Sequence, residues 1–360
     1  MALEYDALNL SQGFPDFDVS RELISMVENA MAAGHNQYAP MPGIPLLQER
    51  IKGALAETYG WHGSAQEEIT ITAGATGALF VCITALVHKG DEVIVLEPAY
   101  DSYIPVIQLN GGITIPVSLN PFDYSIPWDF LESKITGNTR LIIINSPHNP
   151  TGSIVSASDM VRLEKLAIEH DLFVLSDEVY DRIIFDGKRH ESVLRYPELA
   201  KRSMAVFSFG KTFHVTGWKT GYVVAPAYIT TEIRKVHQFV NFSVNSPMQN
   251  GIAAYLENKE NYNHLHEFYQ KKRDKFLEMI SGSRFEPISC SGTYFQMLSY
   301  AEISDENEMD MAKRLTKEFN ITSIPVSPFY SKNENHKTLR FCFAKKDETL
   351  EKAGEILCKI

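Results

Sequence analysis

A chain of 360 residues is long enough for about two domains, and its 44% hydrophobic and 22% charged content suits a globular protein with a large core. The formal net charge of −11 argues against nucleic acid and anionic membrane as partners, since both select a basic face. A pocket for a small anion needs only local positive charge, so that class of ligand stays open. Met1–Asp6 carries neither a basic nor an apolar stretch, so no signal peptide is expected there. The longest apolar run, Leu79–Val87, is too short to span a bilayer. Cys82, Cys290, Cys342 and Cys358 show no Cys-x-x-Cys spacing, so free thiols in a reducing compartment are expected, with neither a metal site nor a disulfide framework. A cytoplasmic location follows as the expectation.

Residues 1–30 are too few for a domain and are expected to join the C-terminal part. From about residue 69 to 225, short β-branched runs alternate with helical patterns. The predicted strands are Ile69–Thr72, Glu92–Leu96, Leu141–Asn145, Phe173–Ser176, Met204–Ser208 and Tyr222–Ala225. Several are continuously apolar, as a strand buried on both faces is. Ser156-Ala157-Ser158-Asp159 resembles a capping box ahead of Met160, Leu163 and Leu166 at helical spacing. Such repetition predicts an α/β fold, a mostly parallel central sheet with helices on both faces. After Pro247 the pattern becomes α+β: a helix-favouring stretch over Glu257–Ile280, short strands at Thr293–Leu298, Thr322–Ile324 and Leu339–Phe343, and a last helix from Glu348. The expected division is a large domain of residues 31–247 and a small one of residues 1–30 and 248–360.

Ligands of open α/β sheets bind beyond the carboxyl ends of the strands, so the residues following each predicted strand are the candidates. Ala73-Gly74-Ala75-Thr76-Gly77 opens a helix, and the backbone N–H groups of Ala75 and Thr76 suit a phosphate. Ser208 adds a hydroxyl and Lys219 a cation. Tyr100 offers an aromatic face, Asp177 a fixed negative charge, Asn149 and Tyr180 hydrogen-bonding groups, and Lys211 an amine nucleophile. Together they match what pyridoxal phosphate requires: an anion hole, a stacking ring, an acid beside the pyridine nitrogen and a Schiff-base lysine. Each piece alone also reads as ordinary structure. Gly-x-x-Gly is a tight turn, Asp177-Glu178 a solvated turn or helix cap, Asn149-Pro150-Thr151-Gly152 a turn, and a single lysine a surface residue. Their order along successive strands, all at one edge, is what ordinary structure does not predict.

Three segments carry a resemblance: Ser-Pro-His-Asn-Pro-Thr-Gly (146–152), Ser-Asp-Glu-Val-Tyr (176–180), and Ser-Phe-Gly-Lys-Thr-Phe followed by Thr-Gly-Trp-Lys-x-Gly (208–221). They resemble the fold-type I, class I/II aminotransferases that depend on pyridoxal phosphate. Gln12–Phe17, Asn36–Tyr38, Glu97–Tyr103, Lys235–Gln238 and Leu339–Phe343 are most similar to the branch of methionine and kynurenine–oxoglutarate/glutamine transaminases. The resemblance implies the fold-type I transferase fold and transamination of an L-amino acid with a 2-oxo acid, through pyridoxal and pyridoxamine forms of the cofactor in turn. It also implies that Lys211 bonds the cofactor and shuttles the substrate proton. Asp177 would keep the pyridine nitrogen protonated, Tyr180 and Asn149 would bond the ring oxygen, and Tyr100 would stack on the ring. Ala75, Thr76, Ser208 and Lys219 would hold the phosphate, with Tyr38 reaching it from the other subunit of a homodimer. Arg340, helped by Asn149 and the Gly13 amide, would clamp the substrate carboxylate; Phe242 and Ser243 would line the side-chain pocket of the neighbouring subunit.

The family carries a further stretch ahead of the Asn-Leu-x-Gln-Gly-Phe-Pro run, and here eight residues precede Asn9; substrate preference therefore stays open. A β-lyase acting on cysteine conjugates could use the same residues. A non-catalytic sensor fused to a helix-turn-helix is disfavoured by the acidic charge and the lack of residues for such a head. A nucleotide-binding dehydrogenase lacks its Gly-x-Gly-x-x-Gly fingerprint.

Overall fold

The apolar runs between residues 69 and 225 build one seven-stranded sheet in the computed structural model, which describes all 360 residues. In chain order the strands are β1 (Leu8–Asn9), β2 (Ile69–Thr72), β3 (Glu92–Glu97), β4 (Ile113–Ser118), β5 (Thr139–Asn145), β6 (Phe173–Asp177) and β7 (Ser203–Ser208). They continue as β8 (Gly221–Val224), β9 (Glu286–Pro287), β10 (Phe295–Ser299), β11 (Ile321–Thr322), β12 (Ile324–Pro325) and β13 (Thr338–Cys342). The large sheet has the order β2-β8-β7-β6-β5-β3-β4. Only β8 runs antiparallel to its neighbours, so the expected mostly parallel sheet is what forms.

Its central strands are apolar throughout because both faces are covered. Val93, Val95, Leu141, Ile143, Leu175 and Val206 pack on one face with Leu79, Cys82 and Ile83 of the helix Gly74–Leu86. The alternate residues Ile94, Ile142, Ile144, Val174, Ala205 and Phe207 pack on the other with Leu47, Ile51 and Leu55 of the helix Pro45–Tyr59 and with Met160 and Leu163 of the helix Ala157–Glu169. That last helix starts with the predicted capping box: Ser156 Oγ accepts from Asp159 N, and the Asp159 carboxylate accepts from Ser156 N.

β4 was not predicted, because as an edge strand it is only partly buried and shows no apolar run. The helix-favouring stretch Glu257–Ile280 folds as two helices, Glu260–Asn263 and Leu265–Met279.

The second sheet, β12-β13-β10-β9, is antiparallel. The N-terminal segment is tied beside it: β1 pairs with β11, the Leu10 carbonyl accepts from Cys342 N at 2.8 Å, and the Phe14 carbonyl accepts from Lys345 Nζ at 2.9 Å. Asp16 accepts from Lys346 N and from Thr349 Oγ1. No helix is long and apolar enough to cross a membrane.

Candidate active site

Strand register decides what meets at the sheet's edge. Asn145 lies opposite Asp177 across β5 and β6, and Gly221 lies opposite both Ser208 of β7 and Thr72 of β2. The carboxyl ends of β2, β5, β6 and β7 therefore face one cavity of about 400 Å³. Its lining includes Gly13, Ala75, Thr76, Tyr100, Asn149, Asp177, Tyr180, Ser208, Lys211, Lys219 and Arg340.

The end near β2 is built for an anion. Gly74 takes φ +67°, and Ala73 before it caps nothing with its side chain, so the first N–H groups of the helix Gly74–Leu86 lack an intrachain cap. Lys219, itself left-handed at φ +49°, brings Nζ to 3.4 Å from Thr76 Oγ1. Gly221 permits this closeness: a Cβ there would lie 2.6 Å from the Phe207 carbonyl oxygen and 3.0 Å from Ala75 N.

At the floor, the Asp177 carboxylate accepts from Tyr103 Oη at 2.6 Å, while the Asp177 carbonyl accepts from Asn145 Nδ2 at 2.8 Å. Burial lifts the Asp177 carboxyl to about 6, against the opposing pull of the Tyr103 hydrogen bond and the Lys211 charge. Lys211 lies in the short helix Phe209–Thr212 directly after β7. Its Nζ donates to Tyr294 Oη at 2.8 Å, and burial lowers its pKa to about 8 despite nearby Asp177. An amine with that value acts near neutrality as nucleophile and base.

Opposite stands Arg340 of β13, buried with its guanidinium carbon 4.0 Å from the centroid of the Phe295 ring. Nη1 donates to Asn149 Oδ1 at 2.6 Å, and Nε has no partner. A buried guanidinium with no carboxylate of its own and a free donor is a ready receptor for one.

The model of the family "Aminotransferase class I and II" matches residues 5–357. The chain belongs to that family. This aminotransferase is 45% identical to a methionine aminotransferase of Escherichia coli (strain K12), over 99% of the chain and 93% of the relative. It is 33% identical to a kynurenine–oxoglutarate transaminase of Dictyostelium discoideum, over 100% of the chain and 92% of the relative. Among solved structures, one for which a methionine aminotransferase function was identified, from Escherichia coli, superposes with a TM-score of 0.98 at 45% identity, covering 100% of this chain and 95% of that one. The N-succinyldiaminopimelate aminotransferase of Mycobacterium tuberculosis superposes with a TM-score of 0.96 at 31% identity, covering 99% and 94%. The aminotransferase thus acts on amino acid and 2-oxo acid substrates.

Of the residues singled out from the sequence, eleven line the cavity and three do not: Tyr38, Phe242 and Ser243. Tyr38 is 83% exposed, with its ring edge-on to Phe242, and Ser243 Oγ donates to the Ala39 carbonyl. Three contributors went unremarked in the sequence. Tyr103 lies within a segment that carried the resemblance, and Tyr294 and Phe295 lie inside a predicted strand, where apolar content masked the contact of Tyr294 with Lys211 and the place of Phe295 at the cavity.

Proposed function

We propose that the aminotransferase works with pyridoxal phosphate in the 400 Å³ cavity, and that its donors are L-amino acids of the methionine, glutamine, aromatic or kynurenine type. The observation that carries this reading is one cavity holding a half-buried lysine with a pKa near 8, a buried carboxylate and a buried arginine with an unpartnered Nε. The residues fit the cofactor: uncapped helix amides and Lys219 for its phosphate, Asp177 for its ring nitrogen, Lys211 for its aldehyde. When bound, pyridoxal phosphate supplies the carbon that Lys211 bonds and a conjugated ring that takes up the electrons of the substrate's Cα–H bond.

The chain's own residues do the rest. Ala75 and Thr76 amides, Ser208 and Lys219 anchor the phosphate. Asp177, whose buried charge lacks a full counter-charge, holds a proton on the pyridine nitrogen. Tyr180 and Asn149 would supply hydrogen bonds to the ring oxygen, and Tyr100 an aromatic face to the ring. Arg340, Asn149 and the Gly13 amide orient the substrate α-carboxylate, which points Cα–H at Lys211. Lys211 Nζ would take that proton and return it on the far side of the substrate nitrogen. Tyr38, Phe242 and Ser243 complete the site of a second copy in a cytoplasmic homodimer, a role that fits the exposure of Tyr38, Phe239, Val240 and Phe242 together. The proposed large domain, residues 31–247, contains every strand of the large sheet, and residues 1–30 with 248–360 contain β1, β11 and the second sheet.

The test is a single-turnover screen of L-amino acids against the cofactor-loaded protein, followed by visible absorbance. Methionine, glutamine and phenylalanine are expected to bleach the lysine-bound band, and Lys211→Ala to lack both the band and multiple turnovers. Sustained turnover by Lys211→Ala would sink the assignment.

A further inference from the structure

Lys211 Nζ is held by two oxygens, and both belong to one small arrangement. It donates to Tyr294 Oη at 2.8 Å and to the Gly13 carbonyl at 3.4 Å. Tyr294 Oη itself donates to the same Gly13 carbonyl at 2.6 Å. Tyr294 is fully buried just before β10, its ring edge-on to Tyr180 and Phe295 with centroids 5.1 and 4.9 Å away.

A phenol has one proton and two lone pairs. Here the proton is committed to Gly13, so toward Lys211 the hydroxyl can only accept. Burial pushes Tyr294 ionisation well above the usual range, which keeps the proton in place and fixes the direction of the chain. An amine that gives an N–H to Tyr294 cannot also aim its lone pair there, and the lone pair is left for the cavity. The acceptor at the end of the chain is itself fixed. A Cβ on Gly13 would lie 2.6 Å from Phe295 Cζ, and Lys345 holds the next carbonyl.

We propose that Tyr294 is a positioning residue for Lys211: it docks the free amine and orients its lone pair during proton transfer at the substrate's Cα. The proposal rests on the reading of Lys211 as the cofactor-bonding lysine. Cys342 and Arg340 of β13, Asp177 of β6, Lys219 and Tyr180 also face the amine, and all of them remain when Tyr294 alone is changed.

The experiment is Tyr294→Phe, read in two ways. In the cofactor-free full chain, reductive methylation of Lys211 by formaldehyde and cyanoborohydride is followed across pH by peptide mass. The wild-type midpoint is expected near 8; in the variant it falls, because the lost acceptor stabilised the ammonium more than the amine. In the loaded protein, the single-turnover rate with L-methionine falls by about tenfold, the worth of one hydrogen bond to a charged group, with half-saturation unchanged. An unmoved midpoint or an unmoved rate overturns the proposal. Should the variant fold poorly, 3-fluorotyrosine at position 294 keeps the ring and weakens the oxygen as acceptor; it must lower the midpoint too, and no shift overturns the proposal. Turnover surviving in Lys211→Ala would instead overturn the lysine assignment, whatever position 294 shows.

Discussion

Asp177 is held out of water at the end of β6, and its carboxyl stands at about 6 against an ordinary value of 3.8. Because the folded value is raised, the folded state binds a proton that the unfolded chain has already released between those two values. The buried charge therefore costs stability above about pH 6, and the cost disappears as pH falls through the window toward 4. Asp177→Asn is expected to raise the melting temperature of the cofactor-free protein at pH 7, by the equivalent of roughly 1–3 kcal/mol. Little gain should remain at pH 4, and transamination should be lost. Thermal melts at the two pH values check this, and an equal gain at both would refute it. On the proposed reading, stability and activity pull apart here because the buried carboxylate serves the cofactor and not the fold. Lys211 and Asp177 were legible in the sequence because motif and strand end coincide at each, whereas Arg340, in the middle of β13, was carried by the resemblance alone. Tyr103 and Tyr294 were not, since a tyrosine in an apolar run looks the same whether its hydroxyl meets Asp177, Lys211 or nothing.

At the level of elements, the fold was legible wherever burial is complete. β3, β5, β6 and β7 are covered on both faces and appear as unbroken apolar runs. β4 escaped notice because Ile113 is half exposed and Pro116 interrupts the run on an edge strand. The antiparallel insertion of β8 between β2 and β7 could not be read either, since periodicity carries no strand direction. Yet β8 is what places Gly221 against the start of the helix Gly74–Leu86. Gly221→Ala is expected to push that start away from the sheet, destabilising the fold by about 1–3 kcal/mol. Affinity for pyridoxal phosphate should fall with it. Denaturant titration and cofactor titration report the two effects, and a variant with unchanged cofactor affinity would show that the helix start tolerates displacement.

Across the whole molecule, the face carrying Tyr38, Phe239, Val240 and Phe242 is apolar and open, with Phe239 90% exposed. If it joins two copies, Phe239→Glu places two carboxylates in an apolar seam. Sedimentation velocity is then expected to show a shift from dimer to monomer at micromolar concentration. Cofactor affinity should drop as the partner's Tyr38 withdraws. An unchanged sedimentation coefficient would move the interface elsewhere.

The N-terminal segment, tied beside the second sheet, brings Gly13 to a cavity whose other walls come from residues as late as Arg340. During synthesis the anion-binding half, residues 74–76 and 208–221, leaves the ribosome well before Tyr294 and Arg340 exist. The strands of the large sheet are thus made before Arg340, the proposed carboxylate receptor, exists. Leu8, Asn9 and Leu10 find their long-range backbone partners only at β11 and β13. On the proposed reading, the carboxylate-binding side of the cavity is therefore closed by the two ends of the chain together.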